Sequence, residues 1–428
     1  MKLVETAGRE SALVVGVITA RTDRAKTAEY LDELILLADT AGVDVRRRVT
    51  QELGRPHPAM FIGRGKAAEI GAIVEEEKLD AVIFDDDLSP IQIRNLEKLI
   101  PCKIIDRSSL ILQIFASRAK SKEAMTQVEL AQLQYLLPRL TRQWTHLSKQ
   151  YGGVGTKGPG ETQIESDRRA IRTRISHLKQ KLERISKERE VQRRGRRDQP
   201  RAAIVGYTNA GKSTLLNQMS GAGVLTEDRL FATLDTTVRN VELEGGKSIL
   251  LSDTVGFIRK LPPHLIASFR STLAETSEAD YLLHVIDISN PAFAEQIEVV
   301  KATLDELEAS GKPTIYVFNK IDRLVDRSII PAIAEGYAPS VFISAQRGIN
   351  ISALEGSLIE LLDRGTAEET IVIKQSDYRT IAKLHELAEI VAKEYEDNSV
   401  KVRFRVSLKN MDRVRKLLGR KASWAGPA

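Results

Sequence analysis

A chain of 428 residues is too long for one ordinary core, so roughly two to four domains are expected. Hydrophobic residues at 42% with charged residues at 29% exclude a disordered chain and describe a soluble, folded one. A net charge of +6 and a pI of about 9.2 agree with a nucleic-acid partner without requiring one.

Residues 1–118 alternate strand-like and helix-like runs and read as an N-terminal α/β domain with a largely parallel sheet. Ala12–Ala20 is apolar but too short to span a bilayer, so it is the first buried strand. Nothing marks a signal peptide, and a cytoplasmic chain is expected. Helices follow at Arg24–Ala41, Lys66–Glu77 and Ile91–Ile100, with strands at Val43–Gln51, Ala81–Phe84 and Lys103–Asp106. Asp85-Asp86-Asp87 sits just past a strand end, as a functional cluster or a cap for the next helix. Cys102, the lone cysteine, allows no internal disulfide and reads as an inert thiol. The six histidines have no metal-ligand spacing.

Residues 119–197 turn helical. One apolar stripe runs through Val128, Leu130, Leu133, Leu137 and Leu140, a second through Ile164, Ile171, Ile175, Leu178, Leu182 and Ile185. Between them Tyr151–Gly160 is too rich in glycine for helix. A basic helical hairpin with a glycine-rich tip is predicted. Its second helix carries Arg168, Arg169, Arg172 and Arg174, and Lys149 and Lys157 flank or occupy the tip. Such density on a protruding element suits phosphate-backbone contact; the alternative is a solvated coiled coil.

Residues 198–365 hold four motifs in order. Strand Arg201–Val205 feeds Gly206-Tyr207-Thr208-Asn209-Ala210-Gly211-Lys212-Ser213, with Thr214 continuing into a helix: a phosphate loop. There Lys212 neutralises phosphates and Ser213 ligates Mg2+. Asp253-Thr254-Val255-Gly256 follows a buried strand; Asp253 would hold the metal through water, and the Gly256 amide would sense the γ-phosphate. Asn319-Lys320-Ile321-Asp322 selects guanine, because the Asp322 carboxylate matches its N1 and N2 donors and adenine has none there. Ser344-Ala345 supplies the last loop, with the Ala345 amide directed at the guanine O6. Phe231–Arg239 is the first switch and offers Thr233, Thr236 and Thr237 for the metal. Lys212, Thr233 and Gly256 are the catalytic candidates. Phe257 stands where many regulatory GTPases have a water-orienting glutamine, so slow basal turnover and activation by a partner are expected. Its ring is either core or a mobile gate.

Residues 366–428 read as a small α/β domain: strand Thr370–Lys374, helix Tyr378–Tyr395, strand Val400–Val406, helix Met411–Leu418 and a frayed end from Lys421.

Phe61-Ile-Gly-Arg-Gly-Lys66, Gly152–Gln163, Phe231-Ala-Thr-Leu-Asp235 and Asp253–Ile258 together make the chain resemble the HflX family of ribosome-associated GTPases over nearly its whole length. The resemblance favours Thr233 and places Phe231 at the nucleotide. It implies binding of GTP and GDP, action on the large (50S) ribosomal subunit and its rRNA, and dissociation of stalled or idle ribosomes under stress. By that likeness Lys149, Gly152, Gly153, Gly155, Lys157, Gly158, Gly160, Arg168, Arg169 and Arg172 would meet rRNA. The apolar seam of the hairpin can be satisfied within one chain, so a monomer is expected, and the basic surface leaves peripheral membrane association open. Some members of that family also hydrolyse ATP; Gly63-Arg64-Gly65-Lys66 lacks phosphate-loop spacing, and packing or rRNA contact explains it more simply. A role in subunit assembly or RNA handling, and a signalling GTPase with a protein partner, are the rival functions.

Overall fold

The computed structural model describes residues 9–20, 22–140, 163–194, 199–222, 230–262, 265, 275–396, 398–408, 410–419 and 422–425. The N-terminal sheet is fully parallel, in the order β2-β1-β3-β4. Its elements are β1 (Glu10–Ile18), α1 (Arg24–Thr40), β2 (Val43–Glu52), α2 (Arg64–Glu77), β3 (Ala81–Phe84), α3 (Pro90–Leu96) and β4 (Lys103–Asp106). The apolar run of β1 feeds both faces alternately. Leu13 and Val15 pack with Ile62 and Ile70, while Ala12 and Val14 pack with Leu31 and Leu34. Cys102 is half-buried at the edge of that core, and burial pushes its thiol up to about 11, out of the reactive range.

The acidic triplet does not cap the next helix. Ser89 does that, in a capping box with Gln92. Asp87 instead accepts from the Ser108 amide at 3.2 Å, and Asp85 is buried among cations described below.

Two helices follow: α4 (Arg107–Arg118), capped by Asp106, and α5 (Lys122–Leu136), capped by Ser121. α5 runs beside the long α6 (Gln163–Arg194). Arg174 Nε donates to Glu129 at 2.7 Å and Arg168 Nη2 to the Leu140 carbonyl at 2.8 Å, so the two helices are antiparallel. Among the described residues of α6, Leu178 is the one that is fully buried. The tip, with Lys149 and Gly152–Gly160, lies outside the described residues.

The G domain comprises β5 (Arg201–Gly206), α7 (Lys212–Ser220), β6 (Thr237–Glu242), β7 (Ser248–Asp253), β8 (Tyr281–Asp287), α8 (Phe293–Glu306), β9 (Thr314–Asn319), α9 (Ile330–Gly336), β10 (Ser340–Phe342) and α10 (Ile351–Arg364). Its sheet runs β10-β9-β8-β5-β7-β6, parallel except for β6. One apolar cluster continues from α4 (Leu110, Ile114, Phe115) into Phe231, Phe257 and Ile258. Thus α4, at the end of the N-terminal segment, packs directly against the switch regions.

The tail folds as an antiparallel sheet, β12-β13-β11-β14, with two helices. It contains β11 (Thr366–Lys374), α11 (Tyr378–Leu387), β12 (Glu389–Glu396), β13 (Ser399–Ser407), α12 (Met411–Leu418) and β14 (Ala422–Ala425). The expected helix Tyr378–Tyr395 therefore ends at Leu387, and its second half is strand β12, paired with β13 from Glu389–Arg405 to Glu396–Ser399. The expected frayed end also gives way to β14, which pairs with β11 through Thr370–Ala425 to Ile373–Ala422. Among the described residues no helix is long and apolar enough to cross a membrane.

Candidate nucleotide site

The phosphate loop leaves β5 at Gly206 and enters α7 at Lys212. Gly211 has φ +97°, and a Cβ there would lie 2.2 Å from the Asn319 side-chain nitrogen, so only glycine fits. That contact links two motifs far apart in sequence: Asn319 Nδ2 donates to the Ala210 carbonyl at 2.8 Å. Lys212 is buried, and its Nζ donates to the carbonyls of Tyr207 (2.8 Å) and Gly206 (3.2 Å). Burial pushes its pKa down to about 8, opposed by the Asp253 carboxylate and reinforced by Lys320. Gly256 packs on this lysine, and a Cβ there would come within 2.9 Å of both Lys212 Nζ and Thr208 Cα.

Three oxygens converge beside Lys212. Ser213 Oγ lies 2.6 Å from Thr233 Oγ1 and donates to Asp253 Oδ2 at 2.5 Å. Of the three threonines in the first switch, Thr233 is therefore the one brought to Ser213. Asp253 Oδ1 is buried with no hydrogen-bond partner among the described residues, and burial raises the carboxyl's pKa against the pull of Lys212. Two hydroxyls and a carboxylate with an unused oxygen are the donor set of a hard, oxygen-loving cation. Among the described residues no cluster of three His, Cys, Asp or Glu side chains offers a different metal site.

The guanine loops form a second constellation. Lys320, with φ +65°, donates to the Asn209 carbonyl at 2.8 Å and pairs with Asp287 at 2.7 Å, which lays its stem beside the phosphate loop. The Asp322 carboxylate is held below its ordinary range, chiefly by a hydrogen bond from Ser344, and Arg347 pairs with it at 3.3 Å. The Ala345 amide, expected to face the guanine O6, here donates to Asn319 Oδ1 at 2.9 Å and ties the two loops together.

The phosphate cavity has a volume of about 360 Å³, and Thr208, Asn209, Gly211, Thr214 and Gly256 line it. Phe231 borders it too, but its ring stands edge-on against Phe115 with centroids 4.7 Å apart. Phe257 is buried, with its amide on the Gly206 carbonyl (3.1 Å) and its own carbonyl accepting from Thr208 (2.8 Å). Its ring is core. Arg168, expected at rRNA, spends one bond on Leu140, whereas Arg169 and Arg172 are exposed.

The motifs did not disclose an ionic joint between the N-terminal and G domains. Asp85 accepts from Arg107 (2.9 Å), Arg259 (2.7 Å) and Lys260 (3.1 Å). Glu33 pairs with Arg259 at 3.0 Å, with Arg107, and with the Tyr207 hydroxyl, which also accepts from the Arg259 amide at 3.0 Å. Burial opposes the ionisation of Asp85, but the cations of Arg107, Arg259 and Lys260 keep its pKa below the usual carboxylate range. Tyr207 thus contributes its backbone to the phosphate loop and its side chain to this joint. Arg259 directly follows the buried Phe257-Ile258 pair, and that position was the available signal.

Residues 28–116 match the family described as GTP-binding GTPase N-terminal, 118–196 the GTP-binding GTPase middle region, and 201–320 the 50S ribosome-binding GTPase family. The chain is 52% identical to GTPase HflX of Flavobacterium psychrophilum over 74% of its own length and 77% of the relative's. It is 44% identical to GTPase HflX of Escherichia coli over 94% of both. A GTP-binding protein from Sulfolobus solfataricus, solved with GDP, is 26% identical over 82% of this chain and 98% of that one, with a TM-score of 0.44. At 52% identity to one of these relatives over 74% of its length and 44% to the other over 94%, the chain belongs to the HflX family of GTPases.

Proposed function

We propose that this GTPase engages the large ribosomal subunit and dissociates or recycles stalled or idle ribosomes. The observation that carries the reading is the cluster of phosphate-loop, switch and guanine-loop residues joined, through α4 and α5, to a long basic helix. The match of residues 201–320 to a 50S ribosome-binding GTPase family supports the choice of partner.

Ser213, Thr233 and Asp253 would hold Mg2+, which when bound neutralises charge on the phosphates. Lys212 meets the phosphate charge that its present carbonyl partners only stand in for. Asp322 and Lys320 fix the base, and Asn319 braces their loop against the phosphate loop. The Gly256 amide orders against the γ-phosphate, and hydrolysis releases it together with Thr233. Phe257 is sealed in the core and cannot aim water, so the attacking water is oriented by groups that a partner supplies or orders. Hydrolysis then weakens ribosome binding, with Lys149, Lys157 and the glycines of the tip as the rRNA-facing elements.

GTP hydrolysis measured with and without purified large subunits tests this reading, with deletion of Gly152–Gly160 as the control. Strong stimulation that disappears on deletion is expected. Normal GTP binding without stimulation would overturn the ribosomal role and favour a protein partner. Preference for immature particles, with no splitting of stalled ribosomes, would favour assembly.

A further inference from the structure

Two cations that line the phosphate cavity come from outside the G domain: Arg118, which ends α4, and Lys120, in the link to α5. The first switch holds the link that carries Lys120. Asp235, two residues beyond Thr233, accepts the backbone amides of Lys120 (3.1 Å) and Ser121 (3.2 Å) on Oδ2, and its Oδ1 takes the Ser121 hydroxyl. The same Ser121 oxygen caps α5 by accepting the Ala124 amide at 3.0 Å. Behind this clamp the Phe115–Phe231 ring pair fixes the end of α4 to the start of the switch. Residues 118–121 and 231–235 therefore move as one piece or separate together.

The clamped switch segment is the one that carries Thr233 to the metal end of the cavity. Thr233 touches Ser213 there, whereas Asn319 and Asp322 of the guanine loops lie outside that cavity. A guanidinium and an ammonium carried on this link would meet the extra charge that distinguishes GTP from GDP, and such charge-assisted bonds are the strong ones. We propose that Arg118 and Lys120 bind the γ-phosphate of GTP, with Asp235 as their positioning residue. The middle region then completes the site and distinguishes triphosphate from diphosphate. This rests on the GTP-site reading above.

The test uses the full chain with Mg2+ and measures affinity for GDP and for a non-hydrolysable GTP analogue. Joint replacement Arg118→Ala and Lys120→Ala should weaken the analogue by roughly tenfold or more and leave GDP within about twofold. Asp235→Ala should shift the same ratio in the same direction, and Arg118→Lys with Lys120 intact should retain part of the discrimination. Unchanged analogue affinity, or equal loss of both nucleotides, would overturn the proposal. Failure of the parent chain to bind either nucleotide would instead sink the GTP-site reading itself.

Discussion

Lys212 is an ammonium held among carbonyls, and its lowered pKa has a consequence for nucleotide affinity. Above about pH 8 the free protein loses this proton, while the phosphate-bound form must keep it. GTP affinity, followed by calorimetry, should therefore fall from pH 8 upward, approaching about tenfold per pH unit. The sign for folding is opposite. The unfolded lysine binds its proton up to its ordinary value of 10.5, so this group's contribution to stability rises between about pH 8 and that value. Gly211 gives the second residue-scale expectation. Gly211→Ala imposes a side chain at φ +97° and drives it into Asn319, so both the phosphate and guanine loops should lose their fit. We expect a loss of GTP affinity of roughly a hundredfold or more, with the far-ultraviolet spectrum retained. These residues were legible in the sequence because their conformations are local: a turn, a helix start and a strand end are written in adjacent positions.

At the scale of elements, the joint built by Asp85, Glu33, Arg107 and Arg259 is a buried ionic cluster, with the Arg107 side chain fully covered. Arg107→Ala leaves two carboxylates short of a partner and should cost about 3–5 kcal/mol in urea unfolding. Because the Asp85 pKa is depressed, its contribution is present above the ordinary carboxylate range and disappears as pH falls through its lowered value. Thermal unfolding of Asp85→Asn should accordingly lose much of the acid-side dependence seen in the parent. Little of this joint was legible: Asp85 stood out only within the acidic triplet past a strand end, and its partners, spread from residue 33 to residue 260, look like ordinary surface charges. Strand β12 failed to show for a related reason. Glu389–Glu396 has helix-compatible composition, and only the backbone bonds to β13 make it a strand.

The whole molecule divides unevenly. The tail has its own core of Ile371, Val400, Val402, Phe404, Val406 and Val414, whereas the N-terminal and G domains share one across α4. A chain ending at Gly365 should therefore bind GTP within about twofold of the full protein, as judged by nucleotide titration. Removal of residues 1–118 should expose Phe231 and Phe257 and yield an unstable G domain in the same assay. The sequence by itself determined the nucleotide chemistry, because phosphate loops and guanine loops are short motifs whose backbone geometry follows from adjacent residues. Tertiary structure decided what that chemistry is connected to. The Asp235 clamp, the Asp85 joint and the placing of Arg118 are contacts between residues tens to hundreds apart, and only packing brings them together.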